Sequence, residues 1–166
     1  MRNYDVFYQR LTAPLRRHRK WISWLDWSNK LVTLTMYLAY VALLVGLLVM
    51  RDPSLFWRMV LIPGGSFLAI SLFRHLLNRP RPYERWAISP LIVKHTKGHA
   101  MPSRHVFSAT IISMAYLYVY WPLGCFFLGL SVLLGSCRIL AGVHYPSDVI
   151  VAYLLAGLSA SLFWLL

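Results

Sequence analysis

The chain has 166 residues, of which 58% are hydrophobic, 15% aromatic and only 13% charged, and its formal net charge is +12. That much apolar surface cannot be hidden inside a water-soluble domain of this length, so lipid is the expected solvent. The positive charge does not signal nucleic acid, because the basic residues are divided between an N-terminal segment and loops beside apolar runs, with no soluble domain to present them.

Residues 1–30 alternate aromatic or apolar side chains (Tyr4, Phe7, Tyr8, Leu11, Leu15, Trp21, Trp24, Trp27) with basic ones (Arg16, Arg17, Arg19, Lys20). This pattern predicts an amphipathic helix lying on anionic lipid, acting as an anchor or as a platform beside a site. The segment lacks the apolar core of a cleavable signal. Residues 31–166 are expected to form one transmembrane domain. Leu31 to Met50 is uncharged, bracketed by Lys30 and Arg51, and matches the roughly 20 apolar residues a membrane helix needs. Met59 to Phe73 is a second uncharged run, with Arg58 able to snorkel and Pro63-Gly64-Gly65 predicting a kink. The charge-free stretch from Val106 to Cys137 is too long for one crossing and is broken at Trp121-Pro122-Leu123-Gly124, which predicts spans three and four. Val149 to Leu166 supplies the fifth. The predicted fold is an all-α, polytopic membrane helical bundle of about five transmembrane helices. Cys125 and Cys137 lack metal-ligand spacing and read as small packing residues.

Counting crossings brings three polar clusters, far apart in the chain, to the face that carries the N-terminus: Arg74 to Pro82, Pro102 to His105, and Cys137 to Asp148. Arg74, Arg81 and Arg138 offer planar donor forks matched to phosphate oxygens. Pro102 suits the first turn of a helix, so Ser103 and the amides of Arg104 and His105 are expected at the amino end of span three, where an anion is favoured. His144 and Asp148 are one helical turn apart, which lets the carboxylate take the proton of one ring nitrogen and leave the other nucleophilic. Asp148, a carboxylate next to a membrane span, needs a partner, and His144 is the expected one. His105 then fits a general acid that later activates water. Such a set can bind, attack and protonate a phosphoryl group with no metal and no cofactor. Lys94 and Lys97, with His95 and His99, lie in the loop between spans two and three, as headgroup contacts or simply as a solvated basic loop. Arg79 and Glu84 are expected to pair with each other or with nearby charges, and His18 and His75 to be structural or solvated.

These residues resemble the type 2 phosphatidic acid phosphatases, the PAP2 superfamily shared with vanadium haloperoxidases. Arg74-x6-Arg81-Pro82 matches that family's K-x6-R-P with Arg for Lys, Pro102-Ser103-Arg104-His105 matches P-S-G-H with Arg for Gly, and Cys137-Arg138-x5-His144-x3-Asp148 matches S-R-x5-H-x3-D with Cys for Ser. The resemblance runs from about Arg74 to Val149. It implies a bacterial integral-membrane lipid phosphatase with His144 as nucleophile, Asp148 as its orienting partner, His105 as acid, and Arg74, Arg81, Ser103 and Arg138 as phosphate ligands. Arg104 replaces a glycine whose amide approaches phosphate, so its side chain either points away or adds a cation that favours a diphosphate.

The expected function is metal-independent hydrolysis of a lipid phosphomonoester or diphosphate (undecaprenyl diphosphate, phosphatidylglycerol phosphate or phosphatidate) through a phosphohistidine. The alternatives are a lipid-linked phosphotransferase of the same superfamily or a non-catalytic membrane scaffold. A multi-pass protein of the cell membrane is expected. Leaving aside Arg74, Arg81, Arg104 and Arg138, the site face carries 11 of the 13 other Lys and Arg residues, against Arg51 and Arg58 opposite. The positive-inside rule thus predicts a cytoplasmic site, whereas six-span relatives imply an extracytoplasmic one, where undecaprenyl diphosphate recycling is expected.

Overall fold

The computed structural model describes residues 4–166. Every regular element among them is a helix: α1 (Tyr4–Arg16), α2 (Arg19–Val49), α3 (Pro53–Leu77), α4 (Pro82–Arg85), α5 (Arg104–Val119), α6 (Trp121–Leu140), α7 (Pro146–Ala160) and α8 (Leu162–Leu165). Four are long and apolar enough to cross a bilayer: α2, α3, α6, and α7 with its continuation α8. Helix α5 has 16 residues and rises only about 24 Å. It sits at the centre, against α6, α7, α3 and α2, with Phe107, Ala109, Ile111, Ile112 and Ala115 buried. A short helix suffices there because neighbouring helices, rather than lipid, surround most of it. The outward faces of α2 and α3 carry exposed Leu38, Val41, Val45, Leu68 and Leu72, the surface expected of a bilayer protein.

Each expected span is a helix, with corrected ends, though the third, α5, is too short to count among the four candidate spans. No residue between His18 and Met50 breaks a helix, so α2 begins at Arg19 and runs through the expected boundary at residue 30, carrying Trp21, Trp24 and Trp27 on its exposed surface. The break between α5 and α6 falls at Tyr120, which is extended, and Pro122 lies inside the first turn of α6. Gly124 faces the backbone of Leu117 so closely that a Cβ would collide with it, and only glycine lets the two helices meet at this turn. Helix α3 passes through Pro63 without ending. A proline has no N–H for the carbonyl four residues earlier. That carbonyl, Met59 O, instead accepts the hydroxyl of Tyr40 on α2 at 2.8 Å, a bond worth about 1 kcal/mol.

The helix ends away from the clusters are also tied together. Arg58, at the end of α3 away from the clusters, donates to Tyr118 Oη (3.0 Å), Phe163 O (3.4 Å) and Leu166 O (2.9 Å), which gathers the far ends of α5 and α8. The arginine expected to snorkel is therefore a cap for C-terminal carbonyls. Between the helices, Thr110 Oγ1 and Ser131 Oγ lie 2.8 Å apart and Tyr153 donates to Ser131 O at 2.9 Å, so buried hydroxyls join α5, α6 and α7.

Helix α1 is docked on the protein, not only laid on lipid. Its stripe of Tyr4, Tyr8 and Thr12 is buried. Tyr8 donates to Leu140 O at 2.9 Å and accepts from Leu91 N–H at 3.2 Å, Arg16 donates to Ser89 O, and the Tyr4 ring meets Tyr145 edge-on at 4.8 Å. The spacing of four residues between Tyr4, Tyr8 and Thr12 puts all three on one face, which is filled by protein.

Candidate active site

Three segments meet on the face that carries α1. Helix α3 ends at Asn78, whose left-handed φ of 38° and the prolines at 80 and 82 stop the helix. The following loop is folded back by Glu84, whose carboxylate accepts the N–H of Arg81 (2.7 Å) and of Gly98 (2.8 Å). Arg81 Nε donates to Gly98 O at 3.1 Å. Gly98 has a φ of +62°, and a Cβ there would strike Asn78, so glycine is required twice over. Arg74 donates to Pro102 O at 2.9 Å, an anchoring role open to the second nitrogen of a guanidinium and costly for lysine to combine with a phosphate contact. Ser103 is the residue just before α5, and its N–H donates to Asp148 O at 3.1 Å, tying the start of α5 to α7.

The ends so gathered enclose a cavity of about 500 Å³. Arg74, Arg81, Arg138, Arg104, His105, His144 and Lys94 line it, so most of the residues named from the sequence converge. Arg104 adds a cation to the cavity. Lys97 lines an adjoining cavity of about 350 Å³, shared with Arg74, Arg81 and Arg104. Ser103 and Asp148 are wholly buried behind the wall. Ser103 Oγ, Arg138 Nε and His144 Nδ1 are all buried without a hydrogen-bond partner.

His144 is 2% exposed, and its Nδ1 faces Asp148 Oδ2 at 3.5 Å. Burial pushes the imidazole down to about 4 against the upward pull of Asp148, and Arg81 and Arg74 push the same way as burial. His144 thus stays neutral, with a free lone pair, from neutral pH down into the acidic range. The acid limb of kcat/KM, corrected for the substrate's own ionisation, is expected below the ordinary histidine value of about 6.5. A limb at or above that value in a pH–rate profile counts against His144 as nucleophile.

Asp148 lies against His144, the partner expected for it, and against others as well. The carboxylate is shared: Oδ1 accepts from Arg79 at 2.7 Å, and Oδ2 accepts the N–H of Tyr145 at 2.9 Å while facing His144. Arg79 and Glu84 do not pair with each other, since Glu84 is spent on backbone N–H groups. His75 and His99 stack on each other at 5.1 Å, beside the second cavity.

Sequence reasoning also missed one wall of the main cavity. Asn29, Lys30, Thr33, Leu34 and Tyr37 of α2 line it, and Asn29 is 8% exposed with its Oδ1 unpartnered. Polar residues at 29, 33 and 37, one turn apart at the mouth of an apolar span, were the available signal.

The family model for the PAP2 superfamily matches residues 55–166. The chain belongs to the PAP2 superfamily. It is a multi-pass membrane phosphatase of that family. Undecaprenyl-diphosphatase BcrC of Bacillus subtilis (strain 168) is 29% identical to this PAP2 protein over 170 residues, covering 98% of this chain and 82% of that one. The crystal structure of Aquifex aeolicus LpxE superposes with a TM-score of 0.76 at 18% identity, covering 96% of this chain and 93% of that one. The first transmembrane PAP2 type phosphatidylglycerolphosphate phosphatase from Bacillus subtilis gives 0.57 at 20% identity, covering 96% and 91%. At these identities the two solved structures speak for the fold alone, and the family match for membership.

Proposed function

We propose that this protein hydrolyses a lipid diphosphate, undecaprenyl diphosphate foremost, without a metal and through a phosphohistidine on His144. The observation that carries this reading is the cavity in which two histidines and four arginines meet, with Asp148 behind one of the histidines. BcrC acts on undecaprenyl diphosphate, and its likeness extends along nearly the whole chain. A cavity of about 500 Å³ whose wall adds Arg104 and Lys94 to the phosphate clamp also suits two phosphates better than one.

In this mechanism Arg74, Arg81 and Arg138 hold the terminal phosphoryl oxygens, with Ser103 behind them. His144 Nε2 attacks the terminal phosphorus, so a P–N bond forms as the P–O bond to the lipid phosphate breaks, and His105 donates a proton to the departing oxygen. His105 then takes a proton from water, whose oxygen attacks the phosphohistidine, and inorganic phosphate leaves with His144 restored. Leu34 of the cavity wall lies within the apolar run of α2, which lets the lipid chain stay in the bilayer while its headgroup enters.

Rapid quenching of purified protein with terminally labelled undecaprenyl diphosphate and EDTA is expected to leave label on His144, stable to base and labile to acid. Faster turnover of phosphatidylglycerol phosphate or phosphatidate would replace the substrate, and turnover that leaves no label on His144 would overturn the covalent route.

The charge distribution supports a cytoplasmic site, and the bias survives when Arg79 is discounted as the partner of Asp148. Lys97→Cys in a Cys125→Ser background is expected to resist a membrane-impermeant thiol reagent in intact cells. Labelling from outside would assign the enzyme to lipid diphosphate in the outer leaflet.

A further inference from the structure

Asp148 is wholly buried, and a buried carboxylate beside a neutral imidazole needs a countercharge. Arg74 from α3, Arg81 ahead of α4, Arg104 and His105 from α5 and Arg138 from α6 all face the cavity with His144. Among the described residues the one arginine in contact with the carboxylate is Arg79, in the short loop between α3 and α4. Its Nη1 lies 2.7 Å from Asp148 Oδ1 and 3.0 Å from Ser147 Oγ, and its guanidinium sits 4.5 Å over the ring of Tyr145, the residue after His144. The backbone of Arg79 is fixed as well, since its carbonyl accepts the N–H of Ala100 at 2.8 Å. Arg79 also lines a third cavity of about 260 Å³, with Tyr4, Trp86 and Tyr145, which shares no lining residue with the main one.

We propose that Arg79 is a positioning residue of the phosphoryl-transfer site: by holding one oxygen of Asp148 it turns the other to His144 Nδ1, which keeps the proton there and the lone pair on Nε2. This rests on His144 being the nucleophile. The device is both geometric and electrostatic. With its two oxygens held by different partners, the carboxylate cannot rotate. With Arg79 in contact the carboxylate also has a cationic partner other than the imidazole. Removing the guanidinium makes the Asp148–His144 pair bind a proton more readily, and a protonated imidazole has no lone pair to give.

The test compares wild type with Arg79→Gln, Arg79→Lys and Arg79→Ala, using undecaprenyl diphosphate as substrate and ¹⁵N-histidine NMR to follow His144. Outer partners that orient a metal-bound histidine contribute about 10- to 100-fold, and kcat of Arg79→Gln is expected to fall on the same scale at neutral pH with KM little changed. The acid limb and the His144 titration should both move up by about one pH unit or more, so the loss deepens as pH falls towards that limb and stays level around neutral pH. Arg79→Lys should recover part of kcat. The ~31% exposure of the Arg79 side chain and the adjoining aromatic cavity give free guanidinium ion a route to the vacated place, so that ion, but not sodium chloride at equal strength, should restore Arg79→Ala. A wild-type kcat and acid limb in Arg79→Gln would overturn the proposal. So would an equal loss at every pH with an unmoved His144 titration and no response to guanidinium, the behaviour of a structural staple. Wild-type protein that releases no phosphate would sink the hydrolase reading separately, because the His144 titration needs no substrate and still decides the role of Arg79.

Discussion

Replacing His144 by alanine is expected to lower phosphate release from undecaprenyl diphosphate by at least about 10⁴-fold, while lipid binding survives. Deletion of a nucleophile removes the covalent route entirely and leaves only what binding and charge stabilisation provide. A factor of 10⁴ corresponds to about 5.5 kcal/mol of transition-state stabilisation. The arginines that bind phosphate stand on other elements, Arg74 on α3, Arg81 before α4 and Arg138 on α6, so the clamp outlasts the change. Removing the ring beside Asp148 leaves that carboxylate with Arg79 and the Tyr145 N–H, so the local fold should hold. The measurement is phosphate release by detergent-purified variant and wild type with EDTA present, alongside equilibrium binding of the lipid. Comparable release by the variant would remove His144 from the chemistry, and equal loss of binding and release would recast it as a binding residue.

Asp148→Asn should be nearly as damaging to turnover and more damaging to stability. Replacing the carboxylate that orients a catalytic histidine costs about 10⁴-fold in kcat in the serine protease triad, because the imidazole takes the wrong tautomer. Here the carboxylate also serves the backbone of Tyr145 at the start of α7 and the guanidinium of Arg79. An amide offers one acceptor oxygen and one NH₂ group. Turned either way, it sets a donor against a donor, at Arg79 or at the Tyr145 N–H. Breaking a buried ion pair from one side costs about 3–5 kcal/mol, and the figure falls towards the lower end because Arg79 can turn to water. Thermal unfolding followed in detergent should show a lower midpoint together with a kcat reduced by about 10³- to 10⁴-fold. An unchanged midpoint would mean that the Arg79 pair contributes little to the fold, and a near-normal kcat would mean that His144 is oriented by something else.

Much of the fold was legible because a bilayer imposes a simple code of length and charge: Leu31 to Met50 and the run from Val106 to Cys137 declare themselves by what they lack. The face shared by His105, His144 and the arginines followed from counting crossings. Less was legible where a residue's task depends on a neighbour distant in sequence. Nothing local to Arg79 says that Asp148, 69 positions later, ends beside it, and the nearer Glu84 was an equally plausible partner from the letters alone. Tyr4 and Tyr8 read as headgroup aromatics because the interface of a membrane and the surface of a loop both favour an amphipathic ring. The start of α2 was misjudged because the charges before Leu31 mark where lipid ends, while the helix continues into water.

The family match begins at residue 55, yet Asn29, Thr33 and Tyr37 face the arginines from a helix that precedes it. A chain trimmed to 55–166 would keep every motif residue and still offer them in an open trough, with water against guanidinium groups that α2 now shields. The cavity is therefore longer in the chain than its signature, and differences in lipid preference among relatives should be sought in their first long helix as much as in the motifs.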